Sequence, residues 1–300
     1  MCRLFGLSGG REPVRATFWL LEARDSLAVQ SRREPDGTGI GWFEDGRARV
    51  DKRPVAAYED RRFAQEAREL CSTTYVAHIR FASTGGLEQR NTHPFCQDGR
   101  LFAHNGVLGD LGALDSELGD ARELVRGDTD SERFFALVTK NARANGGDVE
   151  DALVSAARWA AGRLPLYALN VILTIAGELW ALRYPDTHGL YVLERRAGGP
   201  TGARHLDHAS AAGTVRVRSG QLRERPSVVI ASEPMDEDPG WRELDSGELV
   251  HVAADLTVRR RRVLTEPPAH QLALADLDPR AAESQAKTGS EREPAARTNG

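Results

Sequence analysis

The chain opens Met1-Cys2-Arg3-Leu4-Phe5-Gly6-Leu7-Ser8-Gly9-Gly10. Arg3 to Ser8 reads as a short, largely buried strand, and the Gly9-Gly10 pair ends it. Cys2 is therefore expected at the mouth of a sheet. Removal of Met1 alone would leave a cysteine with a free α-amine, and a small penultimate residue generally permits that removal. A thiol near pKa ~8.5 and an α-amine near ~8 exchange a proton for less than about 1 kcal/mol. The amine can then act as the general base that most cysteine enzymes take from a histidine. A mature chain starting at Cys2 is the expectation.

Outward from this strand, residues 35–54, PDGTGIGWFEDGRARVDKRP, carry Gly-rich turn chemistry, a strand, an Asp45-Gly46 hairpin signal and a second strand. Tyr58 to Leu70 has helical character. Thr73 to Ala82 alternates like a strand whose other face carries His78 and Arg80. Arg100 to Ala103 is a further strand, leading into His104-Asn105-Gly106. Asp130 to Asn145 and Val149 to Arg163 read as amphipathic helices covering one face of a sheet, the first with Asp128 and Thr129 as capping candidates. Residues 164–196 then give three strands of a meander, broken at Gly177 and at Pro185 to Gly189. More strands are expected at Thr214 to Arg218, Ser227 to Ala231, Glu248 to Ala253 and Thr257 to Val263, with an exposed loop over Gly198 to Gly213. Beyond Asp276 large apolar residues nearly vanish, so residues 266–300 are expected to form a polar, disordered tail after a domain spanning 2–265. Strands in both halves with two consecutive helices between them favour sheets layered against helices over a doubly wound fold.

Composition narrows the function. With 40% hydrophobic and 28% charged residues and a formal net charge of -4, the chain gives no electrostatic reason to expect nucleic acid or an anionic membrane. Its longest apolar run, Leu166 to Ala176, is too short to span a bilayer. No signal peptide is recognisable, so a cytoplasmic protein with a small-molecule substrate is expected. Cys2, Cys71 and Cys96 form no CxxC pair, which suits a reducing compartment; Cys71 and Cys96 are expected to pack as small apolar side chains. The spacings of His78, His93 and His104 match no metal motif, and neither a metal nor a cofactor is expected. The Arg259 to Arg262 run reads as a solvated sheet edge.

Polar residues concentrate in HIRFASTGG (78–86), NTHPF (91–95), FAHNGVL (102–108) and TDSE (129–132). In this order after Cys2, they resemble the class II glutamine amidotransferases, whose glutaminase domain is an N-terminal nucleophile hydrolase, and their compact stand-alone members most. The match covers residues 2 to about 140 by motif, and Ala231-Ser232-Glu233-Pro234 also looks like the family. The resemblance implies an α+β fold, a four-layer αββα sandwich of two mainly antiparallel sheets flanked by helices.

It also implies roles. A thiolate attacking an amide needs donors about 3 Å from the developing oxyanion. Asn105 offers a side-chain NH2 and Gly106 a main-chain N–H. Arg80 can grip a substrate α-carboxylate through its planar fork, and Asp130 can accept from the α-ammonium. Asp128 lies two residues away, and the TDSE match selects Asp130. His104 is read as a support for the oxyanion turn, and His93-Pro94 as shaping a loop. Ser83-Thr84 replaces the Thr-His of some relatives, so neither carries a role. Relatives that make amino sugars or start purine synthesis pass ammonia to a second domain; here the glutaminase-like part is expected to use nearly all of the ordered sequence, with no second domain of that size.

The leading expectation is an amidohydrolase cleaving the γ-amide of glutamine or a γ-glutamyl amide through a Cys2 thioester. As an ammonia donor it needs an accepting synthase subunit as partner. As a stand-alone γ-glutamyl amide hydrolase, like the family member in ergothioneine biosynthesis, it needs a roomier leaving-group pocket, drawn from residues after Gly85 and from the 198–213 loop. The cholylglycine and penicillin acylase branch also starts Met-Cys, but H-x-R with His-Asn-Gly fits it less well. A silent scaffold of the same fold is opposed by the joint presence of Cys2, Arg80, Asn105, Gly106 and Asp130.

Overall fold

Arg3–Ser8 forms strand β1, placed inside one of two seven-stranded sheets. The structure, a computed structural model, describes residues 2–82, 85–197 and 225–286, and only the backbone of 207–209 and 216–218. After β1 come helix α1 (Leu27–Gln30), strands β2 (Gly37–Glu44) and β3 (Arg47–Arg53), helix α2 (Arg61–Glu69) and strand β4 (Thr74–Arg80). The hairpin between β2 and β3 turns on Asp45 and Gly46, both at positive φ (49° and 74°), the two-residue turn whose twist suits paired strands. The Asp60 carboxylate caps α2 by accepting from the Arg62 and Phe63 N–H groups.

Strands β5 (Phe95–Gln97) and β6 (Arg100–Leu108) lead to helices α3 (Leu111–Leu118), α4 (Asp130–Ala144) and α5 (Val149–Arg163). Thr129 caps α4 through the Glu132 N–H at 3.2 Å. Then follow β7 (Pro165–Ile175), β8 (Glu178–Arg183), β9 (Tyr191–Arg195), β10 (Asp207–Ala209), β11 (Arg216–Arg218), β12 (Ser227–Ala231), β13 (Arg242–Glu243), β14 (Glu248–Val252), β15 (Val258–Arg262) and β16 (His270–Gln271). A last helix, α6, covers Pro279–Gln285.

The first sheet has the order β13-β9-β12-β1-β4-β2-β3 and the second β15-β14-β8-β7-β6-β5, with β16 beside β7; β10 and β11 pair with each other. Side chains alternate between faces along each strand. Leu4, Val76, Leu101, Ile172 and Ile230 therefore pack between the sheets. Phe5, Tyr75 and Val229 face outward onto Trp19 and Phe63, while Phe102, Val171 and Leu173 meet Phe134, Phe135 and Ala157 of α4 and α5. This is the expected four-layer αββα sandwich. Each sheet is sealed on one face by the other and on its second face by helices.

Several local expectations change. The three strands after α5 are no meander: β7 and β8 pair, but β9 crosses to the other sheet, and β14 takes the place beside β8. Cys71 and Cys96 are exposed, not packed, because Cys71 follows the end of α2 and Cys96 points outward between buried Phe95 and Gln97 on short β5. The segment after residue 265 begins with structure: β16, then α6 with buried Ala281, Ser284 and Gln285. Asp278 caps α6 and Pro279 pre-sets its first turn, a start signal that the polar composition outweighed in the sequence reading. Ser83-Thr84, the 198–206 and 210–215 parts of the expected loop and strand, and residues 287–300 lie outside the described residues. The Arg259 to Arg262 run lies on β15, an edge strand, as expected. No helix among the described residues is long and apolar enough to cross a membrane.

Candidate active site

Strand pairing brings the proposed residues together at one end of the sandwich. Arg3 of β1 stands opposite Ile79 of β4, which puts Cys2 and Arg80 side by side where the two strands end. Both point toward the space between the sheets, with Leu4 and Val76. From the second sheet Asn105 points into the same space, and its side-chain Nδ2 donates to the Cys2 carbonyl oxygen at 3.0 Å.

The Cys2 thiol is held by main chain. Phe81 N–H donates to Sγ at 3.3 Å, and Sγ lies 3.3 Å from the Phe81 oxygen. Burial pushes the thiol pKa up, and the Glu34 charge adds to this; the Phe81 hydrogen bond and the Arg80 charge pull the other way. The resting thiol is thus protonated near neutral pH and would need a base to act as a nucleophile.

Arg80 is buried, and its terminal nitrogens donate to the carbonyl oxygens of Gly86 (3.0 Å) and Gly85 (3.2 Å). Gly85 has φ +71°, and a Cβ there would sit 2.8 Å from Asn91 Nδ2, so the loop can close on the guanidinium only with glycine. Burial lowers the basicity of Arg80, while the charges of Cys2, Asp36 and Asp130 sustain it. Asp130 opens α4 and is buried: Oδ2 accepts from Leu108 N–H at 2.9 Å and Oδ1 from Ser131 N–H at 2.8 Å. Asp128 instead lies exposed, paired with Arg90 at 3.3 Å. Of the two acids, the structure puts Asp130 within reach of the Arg80 charge.

His104-Asn105-Gly106 is not a turn. It lies within β6, in register with β7, where Asn105 faces Asn170 and Gly106 faces Leu169. A Cβ on Gly106 would stand 1.8 Å from the Ala168 oxygen, so glycine here serves the close approach of two strands. His104 Nε2 lies 3.2 Å from that same oxygen; a carbonyl only accepts, so Nε2 carries the proton and Nδ1 accepts from the Ser131 hydroxyl at 2.9 Å. Burial lowers the His104 pKa and keeps the ring neutral. His104 therefore ties β6 to the start of α4.

Asn91 holds the neighbouring loops: Oδ1 accepts from Asp128 N–H at 2.8 Å and Nδ2 approaches the Gly86 oxygen at 3.4 Å. His93 packs against His78 with centroids 4.2 Å apart and rings tilted by 40°, and burial drives both pKa values down, that of His78 to about 3. The Ala231 to Pro234 segment docks on β1, where Ser232 Oγ accepts from Leu4 N–H at 2.9 Å and Glu233 pairs with Arg3 at 2.9 Å. No group of metal-ligating side chains exists among the described residues.

Sequence reasoning missed Glu34, Asn170 and Arg280. Glu34 is fully buried, 3.9 Å from Arg3, and acts electrostatically on Cys2. Asn170 Nδ2 donates to the His188 (3.2 Å) and Gly189 (3.1 Å) oxygens from the strand beside Asn105. A lone amide inside the apolar run Leu166 to Ala176 was the available signal. Arg280 Nε donates to the Ala82 oxygen at 2.9 Å, and nothing in the local sequence distinguishes it from its neighbours.

The family model for class II glutamine amidotransferases matches residues 1–272, and the chain belongs to that family. Among curated relatives, the γ-glutamyl-hercynylcysteine sulfoxide hydrolase of Mycobacterium tuberculosis is 31% identical over 84% of this chain and 93% of its own length. An uncharacterized protein of Methanocaldococcus jannaschii is 28% identical over 92% of this chain and 79% of its own. In architecture, a glutamine aminotransferase class-II domain protein from Silicibacter pomeroyi superposes with TM-score 0.57 at 20% identity, covering 87% of this chain and 99% of that one. The glutamine phosphoribosylpyrophosphate amidotransferase of B. subtilis gives 0.62 at 18% identity, covering 89% of this chain and 50% of that one.

Proposed function

We propose that the chain cleaves the γ-amide of glutamine or of a γ-glutamyl compound, with Cys2 as nucleophile, Asn105 and Gly106 as oxyanion donors, and Arg80 and Asp130 as binding groups for the α-carboxylate and α-ammonium. The observation that carries this reading is the Asn105–Cys2 hydrogen bond at 3.0 Å, which joins the two sheets beside the strand end that carries Arg80.

In this reading Met1 is removed and the Cys2 α-amine takes the thiol proton as sulfur attacks the amide carbon. The second Nδ2 hydrogen of Asn105 meets the oxyanion. The ammonium then returns the proton to the leaving ammonia or amine, and the C–N bond breaks to leave a thioester. Water attacks the thioester, its proton passing through the same amine to the departing thiolate. Free glutamate leaves.

The curated relative from M. tuberculosis, matched over nearly its full length, supports a stand-alone γ-glutamyl amide hydrolase of a thiol/ergothioneine-type pathway as the second reading. An ammonia-accepting partner belongs to the first. A panel comparing kcat/KM for glutamine with that for bulkier γ-glutamyl amides separates the two. Turnover that survives Cys2→Ala overturns both.

A further inference from the structure

The C-terminal segment straps the open end of the sandwich. At one end Arg280 Nε donates to the Ala82 oxygen at 2.9 Å, just past Arg80. At the other end Gln285 Oε1 accepts from His188 Nε2 at 2.8 Å, and the His188 oxygen in turn accepts from Asn170, which stands opposite Asn105. Ala281, Ser284 and Gln285 form the buried face of the strap. One short helix thus bridges from the Arg80 loop of the first sheet to the Asn105 region of the second.

Ala82 is gripped from both sides, since its N–H donates to Asp36 Oδ2 at 2.9 Å. Arg280 needs only Nε to hold the loop. Its two terminal nitrogens have no hydrogen-bond acceptor among the described residues, and the side chain is exposed. The exposed Arg280 meets the chain at the Ala82 oxygen, two residues beyond the buried Arg80, and its like charge adds to burial in lowering the basicity of Arg80. Such a pair is relieved by an anion that accepts from both, and a carboxylate matches the fork geometry.

We propose that Arg280, delivered by the C-terminal helix, is a substrate-binding residue that grips a carboxylate of the substrate beside Arg80. This rests on the γ-glutamyl reading above. The carboxylate is either the α-carboxylate of the glutamyl end or one on the leaving group, and substrate choice separates them.

The test compares the full chain with its Arg280→Met and Arg280→Lys variants on glutamine, γ-glutamylethylamide and γ-glutamylglycine. Alkylation of Cys2 by iodoacetamide, which carries no carboxylate, is followed alongside. In Arg280→Met, kcat/KM is expected to fall about ten- to hundredfold, mostly through KM, as loss of a charge-assisted contact gives. Lysine should recover part of it, and the alkylation rate should stay within about twofold. A fall on all three substrates assigns the α-carboxylate, and a fall on γ-glutamylglycine alone the leaving group. Unchanged kcat/KM on every substrate overturns the inference while leaving the γ-glutamyl reading intact. An alkylation rate that falls as far as kcat/KM also overturns it, leaving Arg280 a loop latch. If the unaltered chain neither turns over these compounds nor, as Cys2→Ala, binds glutamine by calorimetry, the reading itself fails and the inference with it.

Discussion

Asn105 reaches across the gap between the sheets to hold the Cys2 carbonyl oxygen at 3.0 Å, while its own Oδ1 is buried without a hydrogen-bond partner among the described residues. An amide in this position has two jobs available: one N–H fixes the Cys2 backbone, and in the proposed mechanism the other meets the developing oxyanion.

Asn105→Ala is expected to lower kcat about 10²- to 10³-fold, the usual loss for one oxyanion donor. If the anchoring bond matters as well, iodoacetamide alkylation of Cys2 will also slow. Parallel measurement of kcat and alkylation rate divides the two jobs. An unchanged kcat would remove Asn105 from the mechanism.

Burial raises the Cys2 thiol pKa above its usual value near ~8.5, so a form that keeps Met1 lacks both a thiolate at neutral pH and a free amine on the same residue. A variant with a large residue inserted after Met1, which blocks its removal, should alkylate only as pH climbs through and past 9. It should show no amide cleavage. The processed protein should cleave with kcat/KM rising toward the α-amine pKa near ~8. Intact mass identifies the form in each assay, and a fully active form that retains Met1 would falsify the amine-base mechanism.

Gly106→Ala tests whether this glycine serves packing. The added Cβ would stand 1.8 Å from the Ala168 oxygen and 2.7 Å from His104 Nε2, so β6 and β7 must part or twist. A loss of about 1–3 kcal/mol in unfolding free energy is expected from such crowding. Denaturant midpoints measure it. A variant as stable as the parent but inactive would assign the glycine to catalysis alone.

Strand periodicity was readable because a half-buried strand must alternate, and β4 shows it: Tyr75, Ala77 and Ile79 face the helices while Val76 faces the second sheet. What sequence could not supply was adjacency. Asn105-Gly106 has the chemistry of a turn, and only the pairing with Asn170 and Leu169 keeps it extended inside β6. The same blindness misplaced β9, whose residues suit either sheet and whose partner, β12, lies about thirty residues later. Arg280 was invisible for a different reason. A short polar helix gives almost no periodic signal, and the buried contacts that fix it, through Ser284 and Gln285, come from polar side chains that composition assigns to solvent.

Acid should unfold this protein through its histidines as well as its carboxylates. His78, His93 and His104 are buried and neutral, with pKa values lowered chiefly by burial, that of His78 to about 3. The unfolded chain takes up these protons near 6.5, whereas the folded state does not until the lowered values are reached. Their contribution to stability is therefore complete above about pH 6.5 and is lost as pH falls below it, for His78 down to about 3, by up to about 1.4 kcal/mol per pH unit for each ring. His93 is the cleanest probe, since neither ring nitrogen has a hydrogen-bond partner among the described residues. His93→Leu keeps the volume, so stability at pH 8 should change by less than about 1.5 kcal/mol, while the decline between pH 6 and 4 should become shallower. Urea unfolding at a series of pH values measures that slope, and an unchanged acid limb would assign the loss to carboxylates elsewhere in the fold.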